Sequence, residues 1–169
     1  MLNTLLAAAV LLAGVMTDVN AAPTSGPASA QQIYVIRHLQ KAANAGDDPP
    51  LSALGSANAA KLAHLLENKG IRAIFATPTR RATETADPLA KRLGIAVTPY
   101  DPRSPQQLVQ AALSARGNVL VVGHSNTVPA LVAAFGGDQP APLSEDDYGT
   151  IFHVSAGSRE VGTVRLPAN

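Results

Sequence analysis

The chain has 169 residues, of which 46% are hydrophobic and 15% charged, with a formal net charge of +1. That length and apolar content give one domain with material for an ordinary core, and they exclude a disordered chain. No block of Lys or Arg is present and aromatic residues are few, so neither nucleic acid nor an anionic membrane surface is an expected partner.

Leu5 to Val15 is an almost unbroken Leu/Ala/Val run, too short to span a bilayer, followed by polar Thr17 to Asn20 and small Ala21-Ala22. The pattern predicts an export signal peptide over residues 1–22, cut after Ala21 or Ala22, although Met1 to Thr4 lack a Lys or Arg. A periplasmic or secreted protein follows, with no stable membrane insertion once the signal is removed. The chain has no Cys, which excludes a lipid-modified N-terminal Cys, disulfides and thiolate metal sites. Export without disulfides suits a periplasmic protein whose core needs no staples. Residues 23–30, rich in Pro, Ser and Ala, read as a flexible tether, and residues 31–169 as the folded domain.

Within that domain, apolar runs alternate with helical patterns. They predict an α/β three-layer sandwich, a mainly parallel central sheet with helices on both faces. The first strand is placed at Gln32 to Arg37. A polar loop from Lys41 to Pro50 contains the turn signal Gly46-Asp47-Asp48-Pro49-Pro50. Ser52 stands three residues before Gly55, and from there Ala59, Leu62, Ala63, Leu65 and Leu66 recur at helical spacing until Gly70. Ile71 to Ala76 reads as the second strand, Arg80 to Leu93 as a helix closed by Gly94, and Ile95 to Thr98 as the third strand. Ser104-Pro105 is an N-cap and first-turn pair for a helix running to Gly117. Val119 to Val122 is a continuous β-branched and aliphatic run, as expected for a strand covered on both faces. Asn126-Thr127 caps a helix ending at Gly136-Gly137. A Pro-rich acidic loop follows over Asp138 to Asp147, and Tyr148 to Val154 with Val161 to Leu166 form a closing hairpin.

Chemistry-bearing residues collect at the strand ends. Arg37-His38 ends the first strand and Gly123-His124-Ser125 the fourth, while Thr77-Pro78-Thr79-Arg80-Arg81-Ala82 follows the second. Open α/β sheets place their chemistry at the carboxyl ends of parallel strands. Two histidines and at least two arginines on one rim suit a phosphoryl group.

Ile33-Tyr34-Val35-Ile36-Arg37-His38 with Lys41, Leu51-Ser52 and Gly55 resembles the opening of the histidine phosphatase superfamily, also called phosphoglycerate mutase-like, in its small exported bacterial form. Thr77 to Ala86 is similar to the family's second motif, in which the Arg directly before Ala contacts phosphate; that residue is Arg81, with Arg80 a helix-surface neighbour. Val121-Val122-Gly123-His124-Ser125 resembles the segment carrying the second histidine. The resemblance spans about Ile33 to Gly137 and implies a phosphoglycerate mutase-like fold. It also implies a phosphatase that hydrolyses a phosphomonoester or related phosphoryl compound through a phosphohistidine on His38, with a small-molecule or phosphoprotein substrate and no cofactor.

Neutral imidazole is a competent nucleophile near physiological pH. In the mechanism the resemblance implies, Arg37 and Arg81 would offer planar forks to the equatorial oxygens, and His124 would add a donor to the same oxygens. The second ring nitrogen of His38 is expected to donate to a backbone carbonyl, fixing tautomer and aim.

Two departures stand out. Many relatives have a small residue and Glu after Arg-His, where this chain has Leu39 and Gln40, and Leu39 is expected to narrow the pocket. The acid-phosphatase branch has Asp after its second histidine, where this chain has Ser125. The mutase-like branch places its acid after the third strand, which makes Asp101 the candidate proton donor. Blander expectations cover the rest: His64 is an exposed or boundary residue, His153 packs across the last hairpin, Glu84 is a first-turn charge, and Lys41, Asp47, Asp48, Glu145, Asp146 and Asp147 are solvated loop charges. No metal is expected, since His38 and His124 lack partners at ligand spacing. The rival function is a phosphate- or phosphoprotein-binding module of the same fold that has lost turnover.

Overall fold

The computed structural model describes residues 30–167. The signal peptide expected over residues 1–22 lies outside the described residues, as does the tether up to residue 29. In chain order the described residues form β1 (Gln32–Arg37), α1 (Ala53–Leu66), β2 (Ile71–Ala76), α2 (Arg80–Leu93), β3 (Val97–Pro99), α3 (Pro105–Ser114), β4 (Asn118–Gly123), α4 (Val128–Ala134), β5 (Thr150–Ser155) and β6 (Val161–Arg165). The six strands make one sheet in the order β3-β2-β4-β1-β5-β6. β1, β2, β3 and β4 run parallel to one another, while β5 lies antiparallel to β1 and β6 antiparallel to β5. The expected α/β sandwich with a mainly parallel sheet is the fold observed.

The alternation of side chains along each strand divides the core in two. Ile36, Ile74, Leu120, Val122 and Ile151 face Leu62 and Leu66 of α1 and Leu89 of α2. Ile33, Val35, Val119, Val121, Phe152 and Val154 face the opposite way, onto Leu108 of α3 and Leu131 and Val132 of α4. β4 lies between β2 and β1, and both its faces are covered, which is why it reads as an apolar run without polar alternation. Each such Leu, Ile or Val stabilises the fold by about 1.5–3 kcal/mol on full burial.

Local signals account for most boundaries. The Ser52 hydroxyl accepts a hydrogen bond from the Gly55 N–H at 3.0 Å, so α1 starts at Ala53, ahead of the apolar periodicity. β3 is shorter and later than the expected Ile95 to Thr98. Gly94 turns left-handed at φ 65° to close α2, and the Ile95 N–H bonds back to Ala90 O at 3.1 Å, so Ile95 belongs to the helix end. Pro99 is tolerated in β3 because this strand lies at the sheet edge. Ser104 and Thr127 occupy the N-cap positions of α3 and α4, but neither side chain makes the capping bond. Thr127 turns instead to the backbone of His124, accepting from its N–H at 3.0 Å. No helix among the described residues is long and apolar enough to cross a membrane.

Candidate active site

Strand register brings the candidate residues together. Arg37 of β1 lies opposite Gly123 of β4, and the His38 N–H donates to Gly123 O at 2.8 Å. Ala76 of β2 lies opposite Val122 on the other side of β4. Three adjacent parallel strands therefore finish at one level with His38, His124 and Thr77 next in sequence. The rings of His38 and His124 meet edge to face with centroids 5.2 Å apart. α2 begins three residues beyond Thr77 and sets Arg81 in its first turn.

His38 is only 4% exposed. Its Nδ1 lies 2.8 Å from Leu39 O; a carbonyl can only accept, so Nδ1 carries the proton and Nε2 is the ring nitrogen with a free electron pair. This is the carbonyl contact the sequence reading anticipated. Burial pushes the His38 pKa down to about 4, against the Leu39 bond that favours the charged form, and the charges of His124, Arg37 and Arg81 push the same way as burial. His124 is also lowered to about 4, first by burial and then by Arg81 and Arg37. Both imidazoles are thus neutral at pH 7, and both feel the same two guanidinium groups. His124 Nε2 is 2.8 Å from the Thr77 hydroxyl, which is 3.3 Å from the Thr79 hydroxyl.

Arg37 is 2% exposed and is held by the loop before β5. Its Nη1 donates to Ser144 O at 2.8 Å and Glu145 O at 2.9 Å. Its Nη2 donates to Glu145 Oε2 at 3.0 Å, and its guanidinium lies 4.2 Å from the centre of the Tyr148 ring. Nε is buried with no partner. The side chain of Arg81, 19% exposed, pairs with Asp48 at 3.4 Å. The same carboxylate accepts from the Arg80 N–H at 3.0 Å, so Asp48 covers the positive N-terminus of α2. Asp101 lines a cleft of about 550 Å³ together with Thr77, Pro78, Pro99 and His124. It also forms a two-pronged pair with Arg103, at 3.0 and 3.1 Å, which holds its carboxyl below the usual range.

The two departures from the family pattern have structural answers. Leu39 is fully buried among the α1 and α2 side chains, so its bulk enters the core and does not narrow the pocket. The Gln40 side chain accepts from Asn58 Nδ2 at 3.1 Å, and its backbone carbonyl accepts from the Ser52 N–H at 2.8 Å; this amide supplies a polar contact where an acid was missed. Of the residues read as plain charges, Glu84 accepts from the Leu51 N–H at 2.7 Å, tying the loop after β1 to α2. His64 is exposed and pairs with Glu67, and the His153 ring lies 6.0 Å from that of Tyr34 across β5 and β1. The sequence reading missed Thr77, Asp48, Glu145 and Tyr148 as members of the site. Thr77 sat inside a recognised motif, and only the β2–β4 register points it at His124. Among the described residues no group of three or more His, Asp or Glu side chains is placed to hold a metal ion.

The histidine phosphatase superfamily (branch 1) model matches residues 33–102, a span containing Arg37, His38, Arg81 and Asp101. His124 lies beyond it. No curated protein matches the sequence. Among solved structures, the protein histidine phosphatase SixA complexed with tungstate is 22% identical, with a TM-score of 0.61, covering 79% of this chain and 94% of its own. SixA from Agrobacterium tumefaciens is 20% identical at a TM-score of 0.63, covering 80% and 98%. A mycobacterial glucosyl-3-phosphoglycerate phosphatase is 20% identical at a TM-score of 0.58, covering 73% and 89%. At these identities the likeness shows a common fold. The family model matched across β1 to β3, and the paired histidines at adjoining strand ends, make this part of the chain similar to the histidine phosphatase superfamily.

Proposed function

We propose that the protein hydrolyses a phosphomonoester or related phosphoryl compound through a phosphohistidine on His38, without a metal ion, after export to the periplasm or exterior. The observation that carries this is the His38 tautomer. Nδ1–H is bound to Leu39 O at 2.8 Å, which leaves Nε2 unprotonated beside His124 at a rim where two arginine charges converge. In the first step the Nε2 electron pair forms a P–N bond while the ester P–O bond breaks, its electrons staying on the leaving oxygen, which takes a proton from solvent. Water then attacks phosphorus and gives up a proton to solvent, the P–N bond breaks, and phosphate leaves with His38 restored.

Positioning and charge neutralisation are most of what such a transfer needs. Arg81 and Arg37 neutralise the equatorial oxygens, and His124, aimed by Thr77, contributes a further hydrogen bond. Asp101, the candidate proton donor, lines the same cleft as His124, but Arg103 holds it as a carboxylate in the free protein. Aryl phosphates, whose leaving oxygen needs little protonation, are therefore the substrates of choice for assay. The SixA fold likeness supports a phosphoprotein as one substrate class, and the glucosyl-3-phosphoglycerate phosphatase likeness supports a small molecule.

The test is steady-state hydrolysis of an aryl phosphate in chelator-treated buffer. His124→Gln and Arg81→Ala should each lower kcat/KM by about 100-fold, the scale of removing one preorganised donor. Wild-type protein that binds phosphate yet hydrolyses no ester would leave the binding-module reading in its place.

A further inference from the structure

We infer that Glu145 is a resident anion on Arg37, which the phosphoryl group must displace on entry and which returns to release the phosphate product. This rests on Arg37 binding the phosphoryl group, as proposed above.

The guanidinium plane has two edges that can grip a pair of oxygens. Nη1 spends its hydrogens on the carbonyls of Ser144 at 2.8 Å and Glu145 at 2.9 Å, with Asp147 O at 3.4 Å; that side of the group is built into the loop. The other edge is formed by Nε and Nη2, and it is half filled. Nη2 meets Glu145 Oε2 at 3.0 Å and the Tyr148 hydroxyl at 3.3 Å, whereas Nε is buried without a partner. An orphaned N–H on a buried cation is costly in a finished structural ion pair. It is what a site waiting for a two-oxygen anion leaves behind.

Glu145 is suited to be displaced. Arg37 is 2% exposed, but the Glu145 side chain is 76% exposed, so the carboxylate can swing into water at little cost. Its second oxygen accepts from the Ser125 hydroxyl at 3.0 Å. Glu145 therefore bridges the residue before His38 and the residue after His124. The Ser144, Glu145 and Asp147 carbonyls hold the backbone of the loop independently of the carboxylate, so Arg37 stays in position when the side chain departs.

A ligand that must first evict an occupant binds with its affinity reduced by the vacant fraction. Removing the charge while keeping the shape should recover that loss. Glu145→Gln should bind tungstate and inorganic phosphate about three- to tenfold more tightly, as expected for an exposed pair plus relief of like-charge repulsion. Titration calorimetry with tungstate on wild type, Glu145→Gln, Glu145→Ala and Arg81→Ala provides the readout, with unfolding midpoints measured on each. Product inhibition by phosphate should strengthen in parallel, and KM for an aryl phosphate should fall by more than kcat changes.

Unchanged or weaker tungstate binding by both Glu145 variants, with Arg81→Ala weakened and all variants folded, would overturn the inference and leave the phosphoryl site standing. Failure of tungstate to bind wild type would remove that site itself. Unchanged affinity with a loss of turnover that grows with leaving-group pKa would make Glu145 a proton donor, and would also overturn it.

Discussion

Gly55→Ala tests the packing that holds the loop after β1, which carries His38. Gly55 lies in the first turn of α1, directly against the backbone of Gln40. A Cβ added there would overlap the Gln40 carbonyl oxygen and approach its carbon at 3.1 Å and its nitrogen at 3.2 Å. These are backbone atoms, so no side-chain rotation relieves the contact; either α1 or Gln40 must move. Overpacking costs about 1–3 kcal/mol, and a clash confined to backbone belongs at the upper end. Replacing Gly by Ala in a helix returns about 1 kcal/mol. A net destabilisation of about 2 kcal/mol follows, which at roughly 3 °C per kcal/mol for a chain of this size lowers Tm by about 6 °C.

The loss has a second component, because the Gln40 carbonyl that must shift also accepts the Ser52 N–H. Gln40 follows Leu39, whose carbonyl aims His38, so aryl phosphate turnover should fall even well below the melting point. Thermal unfolding followed by circular dichroism, with turnover at 25 °C, measures both effects. A variant as stable as wild type, or more stable, would refute the reasoning, because helix propensity would then exceed the clash.

Other predictions concern the site directly. Thr77→Val removes the hydroxyl 2.8 Å from His124 Nε2 and should lower kcat about tenfold, a small fraction of the effect of losing His124 itself; unchanged kcat would remove Thr77 from the site. Asp101→Asn should change turnover by less than about twofold on aryl and alkyl phosphates alike, since a carboxylate held by Arg103 is a poor acid; a loss confined to alkyl esters would make it the donor. The imidazole proton resonances of His38 and His124 should titrate with midpoints near 4, and a midpoint near 6.5 would refute the burial argument. Because both folded pKa values lie below the unfolded value, the unfolded chain binds more protons between them, so stability should fall as pH drops from about 6.5 through 4. His38→Asn with His124→Gln should flatten that part of the melting profile.

Much of the fold was legible because it depends on local signals. β1, β2 and α2 begin and end at the residues expected from their apolar runs and from Gly94. β3 was misplaced by two residues because the end of α2 claims Ile95, a hydrogen bond that apolar content does not reveal. In the site, the residues inside contiguous motifs were found, and those that depend on long-range register were not. Thr77 meets His124 across 47 positions, and Arg37 meets Glu145 across 108. Glu145 and Asp48 look like loop charges in sequence because exposure and acidity are all the sequence offers; their partners come from β1 and α2. Leu39 was read as pocket-facing from its place beside His38, whereas the chain turns there and buries it against α1 and α2.

The central claim is that phosphorus becomes bonded to His38 Nε2. The direct measurement is rapid quenching of the protein with a ³²P-labelled aryl phosphate, followed by isolation of the protein and its labelled peptide. The account predicts acid-labile, base-stable label on the peptide containing His38, and none on folded His38→Ala protein. Label on His38→Ala, or turnover by wild type with no label on His38 at any quench time, would contradict it.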